Sequence, residues 1–208
     1  MRPAVFIDRD GVINKNPPFY VKAWKEFLFL SGVLPAFSRM SALPWPIIIV
    51  TNQSVVRRGI IEMEALNEIH TRMVLEIEQA GGRIDGLYVC PHHPDERCNC
   101  RKPEPGLLLR AAAELDLNLG QSAFLGDSRS DILAAINAGV QPVYRQDDGE
   151  VTYQAQNEWS PRSIQVPVVK DLMEFAEMLT LAASEEKHPA DMIYYLAARI
   201  TFSAIRNS

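Results

Sequence analysis

The sequence predicts an α/β protein built on one mainly parallel sheet with helices on both faces. Short apolar runs rich in Val, Ile and Leu alternate with longer amphipathic stretches, the rhythm of strands joined by crossover helices. Polar residues with chemical capability fall directly after four of those runs, at the strand ends where open parallel sheets bind ligands. A length of 208 residues with 47% hydrophobic composition suffices for one buried core and leaves little room for a second.

The first strand is expected at Ala4 to Ile7, followed at once by Asp8-Arg9-Asp10-Gly11. A helix over Leu34 to Ala42 precedes the second strand, Ile47 to Val50, which ends in Thr51-Asn52. Glu62 to Ala80 repeats its apolar residues at helical spacing and stops at Gly81-Gly82. Leu87 to Cys90 is the third strand and leads into a loop dense in Cys and His. A helix over Gly106 to Leu115 follows, then the fourth strand, Ala123 to Leu125, with Gly126-Asp127 at its end. Ser130 to Ala138 is helical and closes at Gly139, and Val140 to Tyr144 is the fifth strand. Periodicity is lost from Gln146 to Pro167, which reads as a link to the tail. Two tail helices are expected, Lys170 to Ala183 and Ala190 to Ile205; in the first, Met173, Phe175, Ala176, Met178 and Leu179 share an apolar face. The expected division is a domain over residues 1–168 and a C-terminal helical extension, 169–208, packed on or beside it.

A net charge of -5 and a pI near 5.4 give no electrostatic reason to expect a nucleic-acid or anionic-membrane partner. No apolar run approaches the roughly 20 residues of a membrane span, and Met1 to Ile7 lacks the pattern of a leader, so a soluble, cytoplasmic protein is expected. The sequence leaves the oligomeric state open, with a monomer slightly favoured.

Asp8 and Asp10 lie two residues apart at a strand end, with Gly11 allowing a sharp turn around them. That pair suits phosphoryl transfer: one carboxylate attacks phosphorus, while the other protonates the leaving alcohol and then takes a proton from water. Asp127 ends the fourth strand and Asp131 begins the next helix, giving a hard oxygen site for magnesium with Asp131 in a supporting place. Like charges brought this close raise each other's pKa, which a divalent cation relieves. Thr51 and Asn52 offer a hydroxyl and an amide to phosphate oxygens. Lys102 supplies a point charge for the transferring group and Arg101 a planar fork for a second anionic oxygen pair.

The three cysteines, Cys90, Cys98 and Cys100, crowd into eleven residues, and with His92 they form a C-x-H-x5-C-x-C pattern. Three thiolates and an imidazole match a closed, four-coordinate structural zinc site over residues 90–100, in a reducing compartment. Adjacent His93 is the alternative ligand that spacing alone does not exclude. Because Arg101-Lys102 follow Cys100 at once, zinc would fix the loop that aims both cations.

Taken in order, Asp8-Arg9-Asp10-Gly11, Thr51-Asn52, Lys102 and Gly126-Asp127 with Asp131 resemble the four motifs of the haloacid dehalogenase (HAD) superfamily of phosphatases, over roughly residues 4 to 145. The longer stretches Asp8 to Asn14, Thr51-Asn52-Gln53-Ser54 with Arg58-Gly59, and Cys90-Pro91-His92-His93-Pro94 leading to Cys98-Asn99-Cys100-Arg101-Lys102-Pro103 narrow the resemblance. They are similar to the subgroup of D-glycero-D-manno-heptose 1,7-bisphosphate 7-phosphatases and histidinol phosphatases. The resemblance implies a capless, Rossmann-like core and hydrolysis of a small phosphorylated metabolite, a sugar bisphosphate with histidinol phosphate as the alternative. It implies Asp8 as nucleophile and magnesium ligand, Asp10 as general acid/base binding magnesium through its carbonyl, and Asp127 as a further ligand. Thr51 and Lys102 would hold the phosphoryl group, with Asn52, Gln53, Ser54 and Arg101 on the substrate, and the subgroup pattern favours His92 at zinc. Val55-Val56 stand where the subgroup has Gly-Ile, which stiffens the loop, and Arg57-Arg58 then add charge. That pair either meets the uncleaved phosphate or is a solvated loop pair. A catalytically silent phosphosugar-binding module is the reading from a different class, and intact Asp8, Asp10, Thr51, Lys102 and Asp127 argue against it.

Overall fold

The continuous apolar runs become strands buried on both faces, as a parallel sheet requires. The computed structural model describes residues 1–146 and 166–192. Its strands are β1 (Val5–Ile7), β2 (Ile47–Asn52), β3 (Gly86–Cys90), β4 (Ala123–Gly126), β5 (Gln141–Arg145) and β6 (Val168–Val169). They form one sheet in the order β3-β2-β1-β4-β5-β6, and every pairing is parallel. Central β1 pairs Ile7 with Ile49 on one side and with Leu125 on the other. This register brings the ends of β1, β2 and β4 level.

The helices are α1 (Val33–Ser41), α2 (Met63–Gln79), α3 (Gly106–Leu115), α4 (Arg129–Ala138) and α5 (Leu172–Ser184). Strand alternation divides the core in two. Val5, Ile7, Ile47, Ile49 and Leu125 face α1, α2 and α5, where Phe37, Met73 and Phe175 pack. Ala4, Phe6, Ile48, Val50 and Phe124 face α3 and α4, where Leu107, Ala111 and Ala135 pack. The α/β class, the parallel sheet and helices on both faces are therefore as the sequence predicts.

Strand β6 is an addition, extending the sheet beside β5. The boundary expected after residue 168 falls between its two residues, and α5 packs its apolar face on α1. Most of the expected link, and of the helix expected over Ala190 to Ile205, lies outside the described residues. Between β1 and α1 the chain makes an excursion whose base is an aromatic group: Trp24 stacks on Phe27 at 5.1 Å, and Phe29 meets both edge-on. No helix among the described residues is long and apolar enough to cross a membrane.

Candidate active site

The first motif turns sharply as β1 ends. Asp8 N–H donates to Leu125 O on β4, and Ile13 and Asn14 N–H both donate to Arg9 O, at 2.8 and 3.1 Å. Gly11 adopts a φ of +81°, and a Cβ there would lie 1.7 Å from Asp127 Oδ2. Only glycine satisfies both conditions. Gly126 is similarly confined, since its Cβ would meet Asp131 Cβ at 2.2 Å. From β5, Arg145 Nη1 donates to Gly11 O at 2.6 Å and anchors the turn from behind.

Lys102 Nζ lies 2.6 Å from Asp8 Oδ1 and 2.6 Å from Asp131 Oδ1, and donates to Val50 O at 3.0 Å. Asp8, Asp127 and Asp131 each bring an oxygen within 4.8 Å of the others. Burial pushes Asp8 well above the usual carboxylate range; Lys102 opposes this, and Asp131, Asp127 and Asp10 reinforce it. Burial and then Asp131 push Asp127 up to about 6 against the pull of Lys102 and Arg145. Burial would lower Lys102, but Asp131 and Asp8 outweigh it and raise the ammonium above its ordinary value. Three converging carboxylates against one close lysine leave an excess of negative charge on hard oxygen donors. That donor set fits a magnesium ion.

Asp10 is held separately. Arg9, 1% exposed and the largest fully buried side chain among the described residues, clamps it side-on: Nη2 lies 2.7 and 2.9 Å from the two carboxylate oxygens, and Nε lies 3.2 Å from Oδ1. Asn14 Nδ2 donates to Oδ1 at 2.9 Å, and Gln53 Nε2 donates to Oδ2 at 2.6 Å. Burial alone would raise Asp10, yet Arg9's charge together with these hydrogen bonds holds it below the usual range. Gln53 also donates to Thr51 Oγ1 at 2.9 Å, which ties the second strand end to the Asp10 carboxylate. Behind Arg9, His70 of α2 sits 2.9 Å from Nη1 through its Nε2.

Asn52 and Lys102 are joined reciprocally: the Asn52 amide donates to Lys102 O and accepts from Lys102 N–H, each at 3.1 Å. The Asn52 side chain therefore places the backbone that carries the lysine. Ser54 is buried and its hydroxyl accepts from Arg58 Nε at 3.4 Å. Arg57 pairs with Glu96 at 3.1 Å, linking the loop after β2 to the loop after β3. Arg101 Nη1 donates to His92 O at 3.4 Å. It lines a cavity of about 380 Å³ with Arg97, Lys102 and Glu104.

In the loop after β3, the sulfurs of Cys90, Cys98 and Cys100 lie 3.3 to 3.6 Å apart. That is far beyond a disulfide bond and near the edge of about 3.8 Å expected for thiolates around tetrahedral zinc. His92 Nδ1 completes the group, 3.2 Å from Cys100 Sγ and 3.6 Å from Cys90 Sγ. His93 is turned away, its Nδ1 accepting from Asp95 N–H. Burial raises the Cys90 thiol; at Cys98 burial also pushes upward, but hydrogen bonds with Cys100, Cys90 and the Arg101 backbone together outweigh it and bring the thiol down to about 7. The cluster has the donors and spacing for a metal ion.

The structure thus gathers Asp8, Asp10, Thr51, Lys102, Asp127 and Asp131 around the carboxyl ends of the central strands and keeps Cys90, His92, Cys98 and Cys100 together beside them. The spacing of motifs does not reveal Arg9 as a clamp, His70 as its partner, Asn14 as a donor to Asp10 or Arg145 as the anchor of the turn. A buried-face histidine was the one available signal: His70 falls among Leu66, Ile69, Met73 and Ile77 on the apolar side of α2.

Sheet order and strand-end chemistry of this kind define a HAD-like hydrolase, and a family model described as HAD-hydrolase-like matches residues 99–172. The D-glycero-beta-D-manno-heptose-1,7-bisphosphate 7-phosphatase of Bordetella bronchiseptica is 39% identical over 138 residues, 66% of this chain and 77% of the relative. The enzyme of the same name from Helicobacter pylori (strain 26695) is 38% identical over 140 residues, 66% of this chain and 80% of the relative. Among solved structures, the D,D-heptose 1.7-bisphosphate phosphatase from B. bronchiseptica, complexed with magnesium and phosphate, superposes with a TM-score of 0.78 at 35% identity, covering 87% of this chain and 99% of that one. A HAD-like phosphatase from Mesorhizobium loti gives a TM-score of 0.71 at 27% identity, covering 86% and 87%. The chain belongs to the D-glycero-beta-D-manno-heptose-1,7-bisphosphate 7-phosphatase family of the HAD superfamily.

Proposed function

We propose that this chain hydrolyses the 7-phosphate of D-glycero-D-manno-heptose 1,7-bisphosphate through an aspartyl-phosphate on Asp8. The observation that carries this reading is Asp8 at the end of β1, 2.6 Å from Lys102 Nζ and within 4.8 Å of Asp127 and Asp131. Asp8, the Asp10 carbonyl and Asp127 would hold magnesium, with Asp131 in support; bound there, the ion neutralises phosphate and carboxylate charge. Asp8 attacks phosphorus as the bond to the sugar oxygen breaks, and Asp10, protonated once the negative charge of the bound phosphate offsets the pull of Arg9, gives that oxygen a proton. Asp10 then takes a proton from the water that attacks phosphorus, which releases phosphate and restores Asp8. Lys102 and Thr51 hold the phosphoryl oxygens, while Asn52 acts through the lysine backbone and Gln53 through Asp10 and Thr51. Ser54 stands beside them at the substrate.

The cavity bearing Arg97, Arg101 and Lys102 against Glu104 supports an additional anionic group on the substrate and favours a bisphosphate over the cationic histidinol phosphate. In this reading zinc fills the thiolate cluster and keeps Arg101 and Lys102 in place. Two measurements test the proposal. Beryllofluoride with magnesium should form an adduct at Asp8, and its absence in folded protein would exclude the covalent route. A panel of both heptose bisphosphate anomers, histidinol phosphate and other phosphosugars, scored by kcat/KM, should peak at a heptose bisphosphate; uniformly low values would overturn the substrate.

A further inference from the structure

Arg9 is fixed on three sides. Its Nε and Nη2 edge grips Asp10, its Nη1 meets His70 Nε2 at 2.9 Å, and its Cζ lies 5.9 Å from the centre of the Phe27 ring. Neutralising a buried guanidinium needs only the carboxylate that Asp10 already supplies. The His70 contact adds direction. It occupies the Nη group farthest from the Asp10 fork, so the guanidinium plane cannot swivel without breaking a buried hydrogen bond. His70 is 4% exposed on an otherwise apolar helix face, and burial together with Arg9's charge pushes its titration down to about 3. At neutral pH it is therefore an uncharged ring whose proton sits on Nδ1 and whose Nε2 accepts from Arg9.

We infer that His70 is a positioning residue: acting through Arg9, it holds the Asp10 carboxylate on the side from which the departing oxygen is protonated. This rests on the assignment of Asp10 as general acid. It places the support of that acid on α2, 61 residues along the chain from Arg9. An oriented acid matters most when the leaving group is a poor one, because an alkoxide needs the proton that a nitrophenolate does not.

The test therefore compares kcat/KM, which ends at departure of the leaving group, for a sugar phosphate and for p-nitrophenyl phosphate. In H70L, which removes the acceptor, the sugar phosphate value should fall by about tenfold or more while the p-nitrophenyl phosphate value falls by less than about threefold. H70N, whose shorter amide ends where Nδ1 lies, should show the same selective loss and makes the test independent of how well the leucine variant folds. H70Q, whose amide oxygen reaches the place of Nε2, should recover to within about threefold of the parent. D10N serves as the reference. If D10N loses both substrates equally, the acid assignment fails and takes the inference with it. If D10N is selective but folded H70L and H70N lose both substrates equally, or neither, His70 is only a packing residue and the inference alone fails. Failure of H70Q to recover also overturns it.

Discussion

A methyl group at position 11 would lie 1.7 Å from Asp127 Oδ2, on backbone already at a φ of +81°. Gly11→Ala must therefore push apart two strand ends that share one site, besides carrying left-handed strain of about 1–3 kcal/mol. The expected result is a loss in kcat/KM of about 10²-fold or more with a raised magnesium requirement, measured by titrating the metal against initial rate. Asp10→Asn keeps the backbone carbonyl but cannot exchange the proton, so turnover should fall by about 10²-fold or more at unchanged magnesium affinity. Both positions are legible in the sequence because Asp8-Arg9-Asp10-Gly11 follows an apolar run directly. His70 is not, because a lone histidine on an apolar helix face ordinarily reads as core, and only the fold shows Arg9 beneath it. Its neutrality has a consequence for stability. The folded chain binds a proton at His70 only near pH 3, whereas the unfolded chain does so near 6.5, so the unfolded state holds more protons as pH falls through that window. Stability present above about pH 6.5 is lost on acidification. Relative to His70→Gln, the parent should lose about 2 kcal/mol more between about pH 7 and about pH 5, as read by urea unfolding at both values.

Elements place the site more than single residues do. The loop after β3 begins in the core at Cys90, which is fully buried, and ends at Arg101-Lys102, so the Cys/His cluster sits between the sheet and the cations. Asn52 fastens the far end of that loop to β2 through two hydrogen bonds of 3.1 Å. If the cluster holds zinc, as proposed above, stripping the metal should loosen Arg101 and Lys102 without touching Asp8. We expect KM to rise roughly tenfold or more with a smaller change in kcat in verified zinc-free protein; unchanged kinetics would remove the loop from substrate binding. The cluster was readable because thiol and imidazole spacing is local in sequence. Strand β6 was not: two residues are too few to show alternation, and a valine pair beside a helix gives no signal of an edge strand. The Asn52–Lys102 link was equally hidden, because fifty residues separate its ends.

Across the whole molecule, α5 closes one face of the sheet rather than hanging beside it. Leu172, Phe175, Met178 and Leu179 are buried in the same core as Val33, Phe37 and Met40 of α1. At roughly 2 kcal/mol for each large side chain, that contribution is comparable with the whole stability of an ordinary domain. A chain ending at residue 170 should lose its cooperative melt, as followed by near-ultraviolet circular dichroism, although every proposed catalytic residue would still be present. The parallel class and the strand-end convergence were legible from alternation and motif placement. How much of the tail belongs to the core was not, since an apolar helix face does not say what it packs against.

Pairing α1 with α5 also sets a schedule. On the ribosome the chain emerges from its N-terminus, and the first helix waits for roughly 130 further residues before its partner exists. At about 5–20 residues per second this leaves Val33, Phe37 and Met40 uncovered for roughly 7–26 s. The Asp8 motif exists from the start of that interval, Lys102 only from near its midpoint, and the closing helix only at its end. Synthesis of this phosphatase therefore passes through a period of sticky, inactive chain, which is when a holding chaperone has the most to grip.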